Sequence, residues 1–517
     1  MSASYDMIAE AMSHLPEYLG QHVLISIAAI ATGFVISVPL AISLSRVAWL
    51  KGPALGLAGI VQTIPGLALL ALFYPLLLAL SALTQRLFGF GFRALGFLPT
   101  LLALTIYSIL PVLRNTVTAL SGTDPAIKTA ARGVGMTPWQ TLFLVELPLA
   151  APVIMAGLRT AAVWVIGAAT LSTPVGQTSL GNYIFTGLQT ENWIYVLFGC
   201  IAAALLALVI DFLLSLAEKG IAMRSRRRLM LSAAGLILVV GASLSPLFAS
   251  KTTPIVIGAK SFEEQYILGA LIGDKLKAAG FESTRRDGLG STVIFRALEA
   301  GDVDVYVDYS GTLWTTAMQR SDMPGREAVL GQLSSWLKNR GVNDLGTLGF
   351  ENAYAFAMRR DRAEALGIRT LADLAIHAQT LKIGADFEFF SRPEWKATAK
   401  TYGLRFALRR QYQANFMYSA LVDGDVDVIS AFSSDGRIAQ YGLKLIADPK
   451  NALPPYDAVL LVSAKHAHDE KLLAALRPLI GALDLASMQQ ANLMVDRADD
   501  KRTPEQAAQW LAGRLRK

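Results

Sequence analysis

The hydrophobic positions along the chain divide it into two unlike parts. Up to about residue 222, long apolar stretches alternate with short polar connections, whereas beyond residue 252 charged residues are mixed throughout. Six stretches approach or exceed the roughly 20 apolar residues that a helix needs to cross a bilayer. They are residues 23–44, 54–83, 98–113, 153–171, 193–214 and 229–248. The pattern predicts an all-α transmembrane domain over 1–222, a basic cluster with a connecting sixth helix over 223–252, and a water-soluble domain over 253–517.

The soluble part has a different pattern, in which short β-branched runs alternate with helical stretches from Thr253 onward. That alternation predicts an α/β domain with a mainly parallel sheet. One segment also recurs, since residues 297–305 (ALEAGDVDV) resemble residues 420–428 (ALVDGDVDV). We therefore predict two similar lobes, about 253–355 with 460–517 and about 356–459, with a ligand between them at loops that follow strand ends. The acidic residues of the repeat are interpreted as solvated turns: Asp302, Asp304, Asp425 and Asp427.

Composition narrows the class of protein. The 517 residues are 53% hydrophobic with a mean hydropathy of +0.42, which excludes a wholly water-soluble chain. The net charge of +7 comes from basic residues beside apolar segments, and this pattern argues against a nucleic-acid partner. The single cysteine, Cys200, excludes an internal disulfide. Neither the histidines nor this cysteine have the spacing of a metal site, so we predict no metal and no cofactor.

Positive charges predict the orientation in the membrane, because short loops rich in Lys and Arg stay cytoplasmic. The connections after the first, third and fifth spans carry such charges. Their basic residues are Arg46, Lys51, Arg114, Lys128, Arg132, Arg224, Arg226, Arg227 and Arg228, whereas Arg86 and Arg93 in the second connection count against this assignment. We therefore predict that the amino terminus and the soluble domain are extracytoplasmic. Residues 224–250 also resemble a secretory signal peptide, but their apolar run exceeds the usual core of roughly 7 to 15 residues, which favours a retained helix.

The third connection contains a recognisable motif. It reads TAARGVG from residue 129 and, after nine further residues, VELP up to residue 148. This pattern resembles the EAA loop of ABC importer permeases, although Thr129 stands where that family usually has glutamate. The resemblance implies a cytoplasmic helical hairpin that docks on an ATPase subunit, with Gly135 at the turn because glycine tolerates unusual backbone angles. The residues assigned to this coupling loop are Thr129, Ala130, Ala131, Gly135, Leu147 and Pro148.

Further segments extend the permease resemblance. Residues 157–160 (GLRT) and 166–171 (IGAATL) are similar to permeases that import glycine betaine and related osmoprotectants, so the resemblance spans residues 20–220. It implies the type I ABC importer fold, a bacterial cytoplasmic (inner) membrane location and a homodimer of permease domains. No Walker sequence, GxxxxGK[ST], occurs in the chain. ATP hydrolysis is therefore expected in a separate ATPase, present in two copies.

Six segments of the soluble part resemble the binding proteins for glycine betaine, choline and carnitine, which have the cluster II periplasmic-binding fold. They are residues 258–265 (GAKSFEEQ), 309–312 (YSGT), 352–354 (NAY), 388–393 (EFFSRP), 434–436 (SDG) and 454–456 (PPY). The resemblance implies that tyrosines box a quaternary ammonium group, which aromatic faces recognise well because it cannot donate hydrogen bonds. The implied cage walls are Tyr309, Tyr354 and Tyr456, with Tyr418 as a fourth.

The same resemblance implies that Lys260, Thr312 and Arg392 hold the anionic end of the solute, for which a planar guanidinium is well shaped. Three positions depart from the family pattern: Glu263, Ser310 and Trp395. These departures leave the solute open. Ergothioneine, a trimethylated histidine betaine bound by relatives of the group, is therefore an alternative to glycine betaine, choline or carnitine.

The leading hypothesis is a permease fused to its substrate-binding protein, in an ABC importer for betaine-type solutes. A membrane-anchored solute sensor is the alternative from another class, but the sequence contains no cytoplasmic signalling module. Catalysis is not predicted, because no nucleophile, base and orienting group occur together in a recognisable motif.

Overall fold

The computed structural model describes residues 2–89, 91–249, 254–320, 322, 324–497 and 499–515. The chain forms two compact units, one built mainly from residues 8–251 and the other mainly from residues 252–517. Helices of the first unit are α1 Ser2–Arg46, α2 Ala48–Thr63, α3 Gly66–Phe88, α4 Phe97–Ser121, α5 Pro125–Gly133, α6 Pro138–Thr141, α7 Leu147–Ala169, α8 Gly181–Gln189, α9 Trp193–Ala222 and α10 Arg226–Ala249. A π-helical turn, Leu142–Glu146, joins α6 to α7, and a 3₁₀ turn, Thr170–Val175, follows α7.

Six helical stretches in the described residues are long and apolar enough to cross a membrane, which confirms the predicted number. They are Met7–Arg46, Gly66–Phe88, Phe97–Ser121, Pro138–Val175, Trp193–Ala222 and Arg226–Leu244. The second predicted span, residues 54–83, is wrong as a single helix, because the chain is extended at Ile64 (φ −70°, ψ 126°) between α2 and α3. Pro65 accounts for this break, since proline has no amide donor and disfavours helical geometry at the residue before it.

Helices α4 and α7 pack closely where a glycine removes a side chain from the contact. A Cβ atom at Gly157 of α7 would lie 2.7 Å from Asn115 Cβ and 2.9 Å from the carbonyl oxygen of Pro111, both in α4. Asn115 Nδ2 donates to that same carbonyl oxygen at 2.8 Å. Close approach through small residues is a common way for helices to associate in membranes, and here it depends on Gly157.

We expect Gly157→Ala to destabilise the folded chain by about 1 to 3 kcal/mol, because the added methyl group overpacks this contact. Gly167→Ala is the matched control on α7, where an added Cβ would meet no atom within 4 Å. Thermal unfolding of the full chain in detergent measures the difference. Equal melting temperatures for the two variants would show that the α4–α7 contact adjusts without cost.

The described part of the second unit contains ten strands: β1 Ile255–Lys260, β2 Ser283–Leu289, β3 Val305–Tyr309, β4 Asn343–Glu351, β5 Tyr354–Arg359, β6 Lys382–Ala385, β7 Leu408–Gln411, β8 Val428–Phe432, β9 Leu443–Ile446 and β10 Asp457–Val462. Its helices are α11 Glu263–Ala278, α12 Ser291–Glu299, α13 Ser310–Thr312, α14 Arg326–Asn339, α15 Arg360–Ala365, α16 Leu371–His377, α17 Pro393–Tyr402, α18 Ala414–Val422, α19 Arg437–Gln440, α20 Glu470–Leu476, α21 Leu485–Asp496 and α22 Pro504–Ala512. A π-helical turn, Leu313–Ala317, continues α13.

The strands form two five-stranded sheets with the orders β2-β1-β3-β10-β4 and β7-β6-β8-β5-β9. Each sheet is mixed, not mainly parallel as predicted: β1 and β6 pair in parallel with both neighbours, whereas β10 and β5 pair antiparallel with both of theirs. The chain crosses between the sheets after Glu351 and returns after Ile446. The predicted lobe boundaries at 355/356 and 459/460 therefore fall inside β5 and β10.

The recurring segment occupies equivalent places in the two sheets. Each copy leads into the third parallel strand, β3 or β8, and its glycine adopts a left-handed conformation, with φ of +73° at Gly301 and +81° at Gly424. Asp304 accepts a hydrogen bond from the amide of Val256 at 2.9 Å, and Asp427 accepts one from the amide of Lys382 at 2.9 Å. The interpretation of Asp304 as a solvated turn residue is therefore wrong, and it is wrong for Asp302 as well, which is 1% exposed. Asp304 and Asp427 both pair with the amide of a neighbouring strand.

Candidate functional site

A cavity of about 180 Å³ lies between the two sheets, at loops that follow strand ends. From the first sheet, β1 ends at Lys260 and β3 ends at Tyr309, and both residues line the cavity. From the second sheet, Tyr354 at the start of β5 and Phe432 at the end of β8 line it as well. Six of the seven residues predicted to bind ligand border this space: Lys260, Tyr309, Thr312, Tyr354, Arg392 and Tyr456.

Aromatic rings form a continuous wall along the cavity. Phe262 and Phe432 stack face to face, with centroids 6.4 Å apart and planes inclined by 1°. Phe262 lies 6.1 Å from Tyr309, and Tyr354 lies 4.9 Å from Phe432 and 5.6 Å from Tyr456. The sequence reasoning missed Phe262 and Phe432, although Phe262 stands inside one of the six receptor segments. The wall thus contains two phenylalanines besides the three predicted tyrosines.

Each cage tyrosine donates its hydroxyl proton to a different carboxylate. Tyr309 donates to Glu264 at 2.5 Å, Tyr354 donates to Asp386 at 3.3 Å, and Tyr456 donates to Glu394. Burial raises the pKa of all three tyrosines well above the ordinary value, so the hydroxyls stay protonated as donors. The rings are therefore held at their hydroxyl ends, and all three tyrosines border the cavity.

Arg392 has hydrogen-bonding capacity to spare. Only 9% of the residue is exposed, and its guanidinium lies 5.6 Å from the Tyr354 ring centroid. Nη2 donates to Ser291 at 3.3 Å and to Glu388, while Nη1 lies 3.7 Å from Glu394 without a hydrogen bond. Nε and Nη1 have no hydrogen-bond partner among the described residues. A buried guanidinium with two unused donors is suited to an anionic ligand group.

The other predicted cation is already paired within the protein. Lys260 is buried, forms an ion pair with Asp308, and lies 5.2 Å from the Tyr309 ring centroid. Asp308 also accepts hydrogen bonds from the Tyr306 hydroxyl at 2.6 Å and from the Tyr309 amide at 2.7 Å. Lys260 therefore borders the cavity with its charge paired. Arg392 is also ion-paired, with Glu388, but its Nε and Nη1 have no hydrogen-bond partner among the described residues, which makes Arg392 the better group for an anion.

The prediction that Tyr418 is a fourth cage wall is wrong. The structure places it in the core of the second sheet, fully buried with Met417, Leu421 and Ile429, and not at the cavity. Its hydroxyl oxygen accepts a hydrogen bond from the Phe432 amide at 3.4 Å. α18 directs the ring toward β8, where it supports strand geometry. Tyr418 is therefore not a wall of the cavity.

A buried acidic cluster lies beside the cavity. Oxygen atoms of Glu263, Asp435 and Asp496 lie within 4.8 Å of one another, the spacing that could hold a metal ion. Arg437 lies among them: Nη2 is 3.1 Å from Glu263 and 2.7 Å from Asp435, and Nε is 3.5 Å from Asp496. Burial raises the pKa of Glu263 to about 7. The guanidinium supplies the positive charge here, and it ties the start of α11 to the loop after β8.

The predicted coupling loop forms a helical hairpin in the first unit. Asp124 caps α5 by accepting from the Ala126 amide, and Thr137 forms a capping box with Gln140 at the start of α6. Between the helices, Gly135 has φ of +81°, as expected for a turn that only glycine adopts readily. The motif residues Thr129, Ala130 and Ala131 lie on α5, whereas Leu147 and Pro148 begin α7.

The hairpin leaves large apolar side chains exposed. Val134 and Trp139 are 75% and 66% exposed, and Trp139 stacks on Phe143 with centroids 5.7 Å apart. Lys128 of α5 lies 3.6 Å from Glu146 and joins the two arms by an ion pair. Exposed aromatic groups on a folded hairpin are typical of a protein interface.

Each of the two units matches a known protein family. Residues 253–513 match the family described as the substrate binding domain of ABC-type glycine betaine transport systems, and residues 33–223 match the binding-protein-dependent transport system inner membrane component. The chain belongs to the ABC-type glycine betaine transport family. It is an ABC transporter permease fused to a betaine-type binding domain, and a multi-pass inner membrane protein.

Individual relatives share this architecture in whole or in part. The ergothioneine transport permease/ergothioneine binding protein EgtU of Helicobacter pylori is 29% identical over 474 residues, covering 88% of this chain and 82% of the relative. The glycine betaine/carnitine/choline transport system permease protein OpuCB of Bacillus subtilis is 39% identical over 202 residues, covering 39% of this chain and 86% of the relative. A crystal structure of a glycine betaine/carnitine/choline ABC transporter is 28% identical, has a TM-score of 0.44, and covers 50% of this chain and 97% of that chain.

Proposed function

We propose that this chain binds and imports betaine-type solutes, which carry a quaternary ammonium at one end and a carboxylate at the other. The observation that carries the proposal is the pairing of an aromatic wall with the two unused donors of Arg392 in one cavity. Each favourable ring contributes about 0.5 to 2 kcal/mol to binding a desolvated cation. Nε and Nη1 of Arg392 take the carboxylate, which accepts hydrogen bonds from a planar guanidinium at two points.

The solutes in view are glycine betaine, choline and carnitine, with ergothioneine as a second candidate. Glycine betaine and carnitine have the carboxylate that Arg392 favours, whereas choline has none. Ergothioneine is also a trimethylated betaine. The relative EgtU is named as an ergothioneine transport permease and binding protein, and its alignment covers 88% of the present chain. Tyr309, Tyr354, Tyr456, Thr312 and Lys260 complete the proposed site, with Lys260 acting through its ion pair with Asp308.

The proposal extends to the assembly that moves the solute. Two copies of the permease domain pair in the membrane and display their binding domains on the extracytoplasmic side, the orientation favoured by the basic residues Arg224 and 226–228. The hairpin carrying Val134 and Trp139 then lies in the cytoplasm, where two copies of a separate ATPase dock on it. Ligand closes the two lobes, and ATP-driven movement of the hairpin opens the path.

Calorimetric titration of the full chain in lipid nanodiscs tests the solute. We expect saturable binding of glycine betaine. Competition by carnitine, proline betaine or ergothioneine then gives the relative affinities of these solutes. If none of these solutes bind, the betaine assignment is wrong.

Co-purification tests the transporter reading against the sensor alternative. We expect an ATPase to be retained with the chain, and ATP-dependent uptake when both are placed in proteoliposomes. A chain that binds solute but retains no ATPase would favour a sensor.

A further inference from the structure

The carboxylates that accept from the cage tyrosines are an unusual feature of this site. Glu264 and Glu394 are 1% and 0% exposed and lie behind the rings of Tyr309 and Tyr456, outside the cavity lining. A third carboxylate, Asp386, accepts from Tyr354 and borders the cavity itself. A separate carboxylate thus accepts from the hydroxyl of each of the three tyrosines, and of these carboxylates Glu264 and Glu394 lie outside the cavity lining.

The hydrogen bonds of Glu264 come from neutral donors. Oε1 accepts from the Tyr309 hydroxyl at 2.5 Å and from Asn352 Nδ2 at 3.1 Å, and Oε2 accepts from Asn492 Nδ2 at 2.9 Å. Amides and a phenol satisfy the oxygens without supplying a positive charge. When Glu264 is ionised, its negative charge acts on the Tyr309 ring without a hydrogen-bonded cation to offset it.

Glu394 has a related arrangement on the other side of the cage. Its Oε1 accepts from the Tyr456 hydroxyl and from Thr315 Oγ1 at 2.8 Å, and Oε2 has no hydrogen-bond partner within the described part of the chain. The closest ion-pair atom is Arg392 Nη1 at 3.7 Å. Glu394 Oε2 and Arg392 Nη1 are thus unpaired or weakly paired, and burying such polar atoms costs free energy. Their retention at this site therefore calls for a function.

A phenol that donates a strong hydrogen bond to a carboxylate is polarised by it, because hydrogen-bonded groups in a low-dielectric interior reinforce one another. Polarisation places more electron density on the ring face, and the ring face is what attracts a cation. A buried negative charge close behind the ring adds direct attraction that water screens poorly.

We propose that Glu264 and Glu394 are positioning residues that determine charge selectivity: they hold Tyr309 and Tyr456 by their hydroxyls and make the cage prefer a cation over a neutral group of identical shape. This inference rests on the proposed function, since it makes the walls of that cavity discriminate between a cationic and a neutral group. Shape alone would let the cage accept a tert-butyl group as well as a trimethylammonium group.

The test compares two ligands of the same shape that differ at one atom, which is positively charged in one ligand and neutral in the other. Glycine betaine and 3,3-dimethylbutanoate both carry a carboxylate for Arg392, but the second has a neutral carbon in place of the ammonium nitrogen. Affinities of the full chain in nanodiscs are measured across a pH series, because burial raises the pKa of Glu264 and the preference should grow as this carboxylate ionises with rising pH. The unmodified chain is expected to prefer glycine betaine.

We expect Glu264→Gln and Glu394→Gln each to lower this preference about tenfold, with little change in affinity for 3,3-dimethylbutanoate. Glutamine keeps an oxygen that accepts from the tyrosine, so the ring stays in place while the charge is lost. Asp287→Asn is the matched control, since it neutralises a buried carboxylate that is ion-paired with Arg285 outside the cavity lining. Its preference should equal that of the unmodified chain.

Several results would overturn the inference. Equal weakening of both ligands would make Glu264 and Glu394 merely structural, and an unchanged preference would exclude polarised walls. If either glutamate variant fails to fold by its thermal transition, Asp386→Asn removes the third carboxylate and must lower the preference in the same direction. If the unmodified chain binds neither ligand, the proposed function itself fails, and that outcome is distinct from equal weakening.

Discussion

Replacing Tyr354 by alanine is expected to weaken binding of glycine betaine about 100-fold, which corresponds to about 2.7 kcal/mol. The ring is the centre of the aromatic wall, with centroid distances of 4.9 Å to Phe432, 5.0 Å to Phe389 and 5.6 Å to Tyr456. It also lies 5.6 Å from the guanidinium of Arg392. Its removal therefore takes away one wall of the cage and the surface on which the anion-binding group rests.

Two control variants separate the cage from general stability. Tyr354→Phe keeps the ring and should lose far less affinity than Tyr354→Ala, because it removes only the 3.3 Å hydrogen bond to Asp386. Tyr418→Phe removes a hydroxyl from a tyrosine in the core of the second sheet and should leave affinity unchanged. Calorimetric titration of the full chain measures all three. Affinity in Tyr354→Ala equal to that of the unmodified chain would refute the placement of the cage.

Charging the hairpin is expected to abolish uptake while ligand binding is kept. The double variant Val134→Glu with Trp139→Glu introduces two carboxylates at the exposed apolar positions that we assign to ATPase docking. Burying an unpaired charge in an interface costs several kcal/mol, and tryptophans are common interface hot spots. We therefore expect transport to fall at least about 30-fold.

The measurement is ATP-dependent uptake of labelled glycine betaine in proteoliposomes that contain the chain and its ATPase, alongside retention of the ATPase during purification. Ile376→Glu is the matched control, because this isoleucine is exposed on α16 in the other unit. It should transport normally. Normal uptake by the hairpin variant, or loss of uptake together with loss of solute binding, would contradict a specific role in coupling. Deletion of residues 129–148 is a harsher version with the same expected result.

Local sequence patterns were sufficient for the architecture. Six apolar stretches, the change of composition near residue 252 and the repeated segment predicted a helical membrane unit followed by a two-lobed α/β unit. The structure contains a helical unit and an α/β unit with two sheets, although these sheets are mixed and not mainly parallel as predicted. Gly135 was predicted at a turn and has φ of +81°. These features depend on residues close together in the chain, where hydrophobic periodicity and backbone preference act directly.

Contacts between distant residues were less predictable. The motifs nominated seven ligand-binding residues, and the fold brings six of them to one cavity, but no spacing revealed that Tyr418 faces a core instead. Nor did any motif show that Asp308 pairs with Lys260, or that Phe262 stacks on Phe432 from the opposite sheet. The ligand roles of all these residues remain predictions for the experiments above.

The sequence by itself determined where the chain is apolar, how many times it can cross a membrane, where the Gly135 turn lies, and which tyrosines and arginine belong to receptor-like segments. Only the tertiary structure decided which cations are already neutralised, which rings form the wall, and which carboxylates stand behind them. The reason is physical. Helix and turn formation depend on neighbours in the chain. The charge and shape of a cavity depend on side chains that folding brings together from distant positions, such as Tyr354 and Asp386, 32 positions apart, and Glu263 and Arg437, 174 positions apart.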